Sequence, residues 1–353
     1  MVIKMKKVIK TGIFSYGMSG MVFHAPLLHT HPMFEIKKIL QRKSNTSREK
    51  YPYIELARDY RELLNDPDIE LIIVNTPDHT HYEFASESLE ANKHVIVEKP
   101  FTLTVEEGEK LINLAQKKKK ILSVFQNRRW DGDFLTVKKI IEEKLLGRLV
   151  EFESHFDRYR NYIKDNWKED PACKSGTVYN LGSHTIDQAL VLFGMPEYVN
   201  ADIRILRAGG RVDDNFDIRL GYPDIKVTVR GGYLVREQGP RYILHGTEGS
   251  FLKSGIDPQE EKLTQGHYPD EPDWGIDPVE NWGVLNTTVN GLHFRGKVET
   301  LPGAYNDYYT NIYNVLVNGH ELMVKPEESL NVTRIIQAAY ESSKLKKSIE
   351  LNV

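Results

Sequence analysis

The sequence predicts an α/β unit on a doubly wound parallel sheet, followed by an α+β unit with a large, mostly antiparallel open sheet and helices on one face. Three observations predict this. Short apolar runs alternate with helical stretches from residue 8 to about residue 125. From about Gly147 the pattern changes to strand after strand, joined by short linkers such as Tyr222-Pro223-Asp224 and Thr247-Glu248. A chain of 353 residues is also too long for one average core. We place the boundary between units 1–125 and 126–353, with the C-terminal helix free to pack back on the first unit.

The composition is that of a globular protein, with 40% hydrophobic and 27% charged residues and a net charge of -3. A dedicated nucleic-acid binder would carry a basic excess, so no nucleic-acid partner is expected. No run of about 18 apolar residues exists, so no membrane span is expected. Lys4, Lys6 and Lys7 have no apolar signal core behind them. The one cysteine, Cys173, excludes an internal disulfide framework and fits a reducing, cytoplasmic setting.

The first strand, 8–14, runs into Ser15-Tyr16-Gly17-Met18-Ser19-Gly20 and then a helix. A dinucleotide-binding turn would read G-x-G-x-x-G here. Gly17 and Gly20 fit, while Ser15 stands where the first glycine belongs. If that position needs positive φ, a side chain costs on the order of 1 kcal/mol. A glycine-containing turn with no ligand is the alternative. The second strand, 34–40, ends in Gln41-Arg42-Lys43-Ser44. An NAD enzyme would place a carboxylate there for the ribose hydroxyls. Arg42 and Lys43 suit a 2′-phosphate instead, so NADP(H) is favoured and NAD(H) remains possible; a solvated basic loop is the bland reading.

The alternation continues through a helix at 59–64, a strand at 71–74, and Asn75-Thr76-Pro77-Asp78-His79-Thr80-His81 opening the next helix. His79 and His81 lack further ligands at metal spacing, so no metal site is expected. The strand 94–97 ends at Glu98-Lys99-Pro100. The helix after it carries Thr104 as N-cap and Glu107 to close a capping box. Ligands of open α/β sheets bind at such strand ends. A partly desolvated lysine there gives up its proton more readily than a free one. Pro100 follows a candidate cis bond. Alone, the tripeptide reads as an ordinary lysine before a turn; the rest of the chain reverses that weighting. The run 117–120 of four lysines suits a helix C-terminus.

In the second unit, 148–156 alternates as a half-buried strand and 183–193 reads as a helix ended by Gly194. Strands are expected at 198–206, 215–222, 225–235, 242–246, 249–253, 287–292 and 296–300. Alternate residues of 226–233 would leave an open face for a second copy, giving a homodimer or homotetramer. The segment 257–281 reads as a long loop, serving as a lid, an arm or a plain insertion. A last helix is expected over 326–347.

Val97-Glu98-Lys99-Pro100, the 75–81 segment, Gln126-Asn127-Arg128-Arg129-Trp130, Tyr179-Asn180-Leu181-Gly182-Ser183-His184-Thr185-Ile186-Asp187-Gln188 and the segment 301–309 resemble the glucose–fructose oxidoreductase / inositol dehydrogenase family (Gfo/Idh/MocA). The resemblance spans nearly the whole chain. Val22-Phe23-His24-Ala25-Pro26 and the Arg-Arg-Trp segment bring it nearest to the NADP-dependent scyllo-inositol dehydrogenase-like branch. The resemblance implies a Rossmann domain whose turn (Gly12, Ser15, Tyr16, Gly17, Met18, Ser19, Gly20), Thr76, Pro77, His81, Glu98, Lys99 and Arg128 meet the cofactor. It implies Lys99 on the reacting oxygen and His184 moving a substrate proton. Trp130 and Asn180 would shape the substrate pocket. Where the family usually has Asp, this chain has Asn180, which can orient a hydroxyl but cannot take a proton.

These readings lead to a cytoplasmic NADP(H)-dependent oxidoreductase that interconverts a secondary alcohol and a ketone on a sugar or inositol. The alternatives are a cofactor-binding or regulatory protein of the same fold, or an enzyme for a non-sugar substrate.

Overall fold

The computed structural model describes residues 7–164, 166–173 and 175–351. In chain order the strands are β1 (Ile9–Ile13), β2 (Phe34–Leu40), β3 (Glu55–Ala57), β4 (Leu71–Val74), β5 (His94–Val97), β6 (Leu122–Val124), β7 (Leu149–His155) and β8 (Tyr198–Arg204). They continue as β9 (Asn215–Gly221), β10 (Lys226–Gly232), β11 (Tyr242–Gly246), β12 (Gly249–Lys253), β13 (Gly283–Val289), β14 (Leu292–Val298) and β15 (Ile349–Glu350). The helices are α1 (Ala25–Thr30), α2 (Thr46–Lys50), α3 (Arg61–Leu64), α4 (His81–Glu90), α5 (Val105–Lys118), α6 (Gly132–Glu142), α7 (Ser183–Phe193), α8 (Gln259–Gln265), α9 (Asn306–Asn318) and α10 (Pro326–Leu345).

The chain divides into two compact units. The first runs to Asn127 and adds Pro258–Trp274 and Ala304–Leu330. The second is Arg128–Asp257, Gly275–Gly303 and the chain from Asn331 onward.

In the first unit six parallel strands lie in the order β3-β2-β1-β4-β5-β6. Every residue of β4 is fully buried, as expected of a strand covered on both faces. The order reverses at β1, so the crevice at the C-terminal ends of β1 and β4 is the switch point where such sheets bind ligands. Helix α5 has the expected capping box: Glu107 N–H donates to Thr104 Oγ1 at 3.2 Å and Thr104 N–H to Glu107 Oε2 at 3.3 Å.

The second unit is built on a nine-stranded sheet, β14-β13-β12-β11-β7-β10-β9-β8-β15. Only β7 and β10 pair in parallel; the other pairs are antiparallel. Helix α7 covers it, with Phe193 against Phe152 at 5.2 Å between ring centres.

Several boundaries differ from expectation. The last hairpin is β13–β14, turning at Asn290 and Gly291, both at positive φ (51° and 80°). The expected strand 287–292 ran across this turn, and Asn-Gly is a strong two-residue hairpin signal. The segment 257–281 is not one loop, because it contains α8, which packs on Gly20–His24 within the first unit. Strands β3 and β15 are too short for a periodic signal. The polar surface of α9, Asn306–Asn318, hides its apolar stripe of Tyr308, Tyr309, Ile312 and Tyr313. Strand β10 is largely buried. Exposed apolar side chains of this sheet include Leu292 and Phe294 on β14, Val289 on β13 and Leu252 on β12. No described helix is long and apolar enough to cross a membrane.

Candidate functional site

In the first unit the glycine turn leaves β1 at Phe14 and enters a π-helical turn, Gly20–His24, before α1. Ser15 is not among the residues at positive φ, so its side chain causes no strain there. Its hydroxyl accepts from Gly17 N–H at 3.1 Å. Across the switch point, the Asn75 side-chain amide donates to Ser15 O at 2.8 Å. Gly20 closes the turn. A Cβ on it would lie 2.1 Å from Ser15 O and 2.9 Å from Asn75 Nδ2, so no other residue fits without moving backbone. Gly12 packs beneath, while Gly17 and Met18 are exposed at the rim, with Tyr16 and Ser19 half-buried. This exposed turn, with its backbone drawn close by Gly20, fits a dinucleotide pyrophosphate.

The loop after β2 is pre-set. Gln41 is buried, and its side chain holds Ser44 Oγ (2.7 Å), Thr46 Oγ1 (3.0 Å) and Ser47 N–H (2.9 Å). Arg58 braces it from below by donating to Ser44 O at 2.8 Å and to Gln41 O. Arg42 and Lys43 are left exposed on a fixed loop.

At the end of β5 the Lys99–Pro100 bond is cis. His81, fully buried, bonds Pro100 O at 2.8 Å and Thr76 O at 3.0 Å. It therefore ties the Thr76-Pro77 loop to the Lys99-Pro100 turn through backbone carbonyls. Lys99 is half-buried and Glu98 is buried. Glu98 Oε2 accepts from Lys99 N–H at 3.0 Å, and Oε1 meets His24 Nε2 at 3.0 Å. His24 Nδ1 meets Tyr309 Oη at 2.6 Å. Burial alone would raise the Glu98 carboxyl, but the His24 hydrogen bond and the proximity of Lys99 and His81 outweigh it and hold it below its ordinary range.

In the second unit, Asn180 lies in a π-helical turn, Val178–Gly182, that runs straight into α7. Sequence reasoning started the helix at Ser183; the added turn puts Asn180 and His184 one turn apart on one face. Asn180 Nδ2 donates to Tyr233 Oη at 3.1 Å. His184 is buried, its ring 6.1 Å from Phe156. Asp213 fastens the start of this turn by accepting from Thr177 Oγ1 (2.8 Å), Val178 N–H (2.9 Å) and Tyr340 Oη (2.6 Å). Burial pushes the Asp213 carboxyl up despite these donors.

The 126–130 and 179–188 segments meet within this unit from Arg128 onward. Asp187 takes a two-pronged bond from Arg129 (2.8 and 2.7 Å), and Gln188 Nε2 donates to Arg128 O at 2.9 Å. Arg128 itself is buried, 3.1 Å from Asp131 and stacked on Phe156 at 4.8 Å. Trp130 is buried beside it in sequence. Lys99 thus belongs to the first unit, and Arg128, Trp130, Asn180 and His184 belong to the second. Sequence reasoning missed Asn75, Arg58, Tyr309 and Asp213. Asn75 alone had a local signal, as an amide at a strand end facing a glycine turn.

Comparison with known proteins matches the chain in two consecutive stretches, the second of which runs through Pro258–Trp274 and Ala304–Leu330 of the first unit. Residues 9–126 match the oxidoreductase family model for the NAD-binding Rossmann fold. Residues 138–351 match that family's C-terminal alpha/beta domain. The chain is 44% identical over 346 residues to scyllo-inositol 2-dehydrogenase (NADP(+)) IolW of Bacillus subtilis, covering 97% of this chain and 96% of that one. It is 39% identical to the uncharacterized oxidoreductase YdgJ of Escherichia coli, covering 95% of this chain and 96% of that one. A Bacteroides fragilis crystal structure described only as that of an oxidoreductase superposes with a TM-score of 0.91 at 51% identity, over 98% of this chain and 100% of that one.

Proposed function

The chain belongs to the Gfo/Idh/MocA oxidoreductase family, and from that premise we propose an NADP(H)-dependent enzyme that interconverts a secondary alcohol and a ketone on a sugar or inositol. What carries the reading is the pair of features at the ends of β1 and β5. The Ser15–Gly20 turn is drawn tight by Asn75, and a half-buried lysine stands on a carboxylate-braced turn. The relative named for scyllo-inositol and NADP(+), similar from end to end, supports the substrate class.

The glycine turn would hold the pyrophosphate, with Thr76 and Pro77 beside it, and Arg42 and Lys43 would take the 2′-phosphate. When bound, NADP(H) supplies or accepts the hydride. Lys99 Nζ would hold the substrate oxygen and give it a proton in the reducing direction. His184 would hydrogen-bond the substrate hydroxyl and relay its proton. Asn180, without a charge, would orient that hydroxyl only, so the proton falls to Lys99 and His184. Trp130 would help to shape the pocket, and Arg128 would serve the cofactor side. A second copy covering Leu292 and Phe294 on β14 would give the homo-oligomer, and the setting would be cytoplasmic.

The test is initial rates by nicotinamide absorbance, with NADP and then NAD, across inositol isomers and common aldoses, with Lys99→Met as control. Turnover with NADP on a polyol, abolished in the control, is the expected result. Tight NADPH binding with no turnover on any of them would overturn it in favour of a binding or regulatory protein, or of a non-sugar substrate.

A further inference from the structure

Behind Lys99 runs a buried line of polar groups, of which His24 and Tyr309 have no part in the proposed reaction: Tyr309 Oη to His24 Nδ1 at 2.6 Å, His24 Nε2 to Glu98 Oε1 at 3.0 Å, and Glu98 Oε2 to Lys99 N–H at 3.0 Å. Tyr309 and His24 are fully buried and Glu98 is 8% exposed. We infer that His24 is a positioning residue for Lys99: anchored by Tyr309, it keeps the Glu98 carboxylate charged against the turn that carries the lysine, so that Lys99 holds its proton to higher pH than it would without that neighbour. The tie to catalysis rests on the function proposed above; the electrostatic claim does not.

Tyr309 is buried deeply enough to stay a hydroxyl, since burial drives its ionisation far up. A hydroxyl either donates to an unprotonated Nδ1 or accepts from a protonated one. Against an ionised carboxylate, Nε2 carries a proton in both cases and gives it to Glu98. A carboxylate with two such donors stays charged where a bare buried one would take a proton. The groups facing it are His24 from the π-helical turn, His81 at the start of α4, Lys99 beside it, and Tyr309 from α9. Phe125, 4.4 Å from the His24 ring, closes the apolar side. Without His24, Glu98 loses its side-chain donor and protonates. The negative charge beside Lys99 then disappears, and the lysine deprotonates at lower pH.

Competitive acetylation across pH, read by peptide mass spectrometry, gives the titration of Lys99 in the full chain without cofactor or substrate. His24→Leu is expected to lower the Lys99 midpoint by about one pH unit or more. His24→Gln, whose amide can reach toward Glu98, is expected to restore most of it. If wild type catalyses reduction, the alkaline limb of the His24→Leu rate profile should move down with the midpoint. An unchanged midpoint in folded His24→Leu, checked by circular dichroism, overturns the inference. Should that variant not fold, Glu98→Gln keeps the shape and removes the charge, and an unchanged midpoint there overturns it equally. A wild type that turns over nothing refutes the proposed function alone. An active enzyme with an unmoved midpoint refutes this inference alone.

Discussion

Replacing Arg42 and Lys43 by alanine should separate NADPH from NADH more sharply than any other change in the first unit. The two side chains are exposed, but the loop beneath them is fixed by buried Gln41 and by Arg58. Binding a phosphate there therefore costs little backbone ordering, and the interaction energy should appear in the affinity. A forked guanidinium–phosphate contact contributes about 2 kcal/mol and an exposed lysine about 1 kcal/mol. The double variant should then lose about 3 kcal/mol, or about a hundredfold in Kd for NADPH. Arg42→Ala alone should lose about thirtyfold. NADH carries no 2′-phosphate and should change by less than about twofold, since the glycine turn is untouched. Titrations of each protein with each cofactor by nicotinamide fluorescence, at low and physiological salt, measure these constants. The NADPH loss should shrink as salt screens the exposed charges. Equal weakening of NADH and NADPH, or no loss for either, would refute the assignment of this loop to the 2′-phosphate.

Two further outcomes follow from the geometry. Asn180→Asp should place a carboxylate one helical turn before His184, with Tyr233 Oη donating to it in place of the present bond. A negative charge there raises the His184 midpoint, so the acid limb of the oxidation profile should move up by about one pH unit; an unmoved limb makes Asn180 neutral to proton transfer. Acid should destabilise the first unit below neutrality. Burial lowers His31 and His94 from 6.5 to about 4, and His94 Nδ1 accepts from Ile121 N–H at 3.0 Å, so both favour the neutral ring. The unfolded chain binds more protons between these values, so stability is full above pH 6.5 and falls toward pH 4. The loss is on the order of 2 kcal/mol per histidine once solvent access is allowed for. Thermal melts of wild type and His94→Gln across this range should differ in slope; parallel curves would rule His94 out.

Much of the fold was legible because the signals were local. The runs at β2, β4, β5, β11 and β12 were bounded correctly by their apolar content and flanking turn residues, and the α5 capping box needs only residues three apart. What failed was non-local or ambiguous. Helix α9 turns a stripe of tyrosines to the core under a polar sequence, and its apolar face is visible only once Phe125 and His24 are seen against it. The β13–β14 turn had a clear Asn-Gly signal that strand alternation overrode. In the site, motif residues could be singled out because chemistry restricts their types. Their supports could not: Arg58, Asp213 and Tyr309 act from 14 to 285 residues away, and no spacing rule reaches that far.

The two departures from the family pattern, Ser15 and Asn180, do not weigh alike. On sequence alone each favoured a chain that binds without turning over. Ser15 loses that force, because the backbone there needs no glycine and the hydroxyl supplies an acceptor that a glycine would lack. The close approach that a third glycine must permit is kept at Gly20, against Ser15 O itself. Asn180 is different. Its amide keeps the position and one hydrogen bond of the expected acid, but not the charge. The change removes a carboxylate from the second unit, while the first unit keeps an ionised one behind Lys99. Control of charge is thus concentrated on the lysine side. A proton inventory of this enzyme should then follow Lys99 and its His24–Glu98 support more closely than it follows His184.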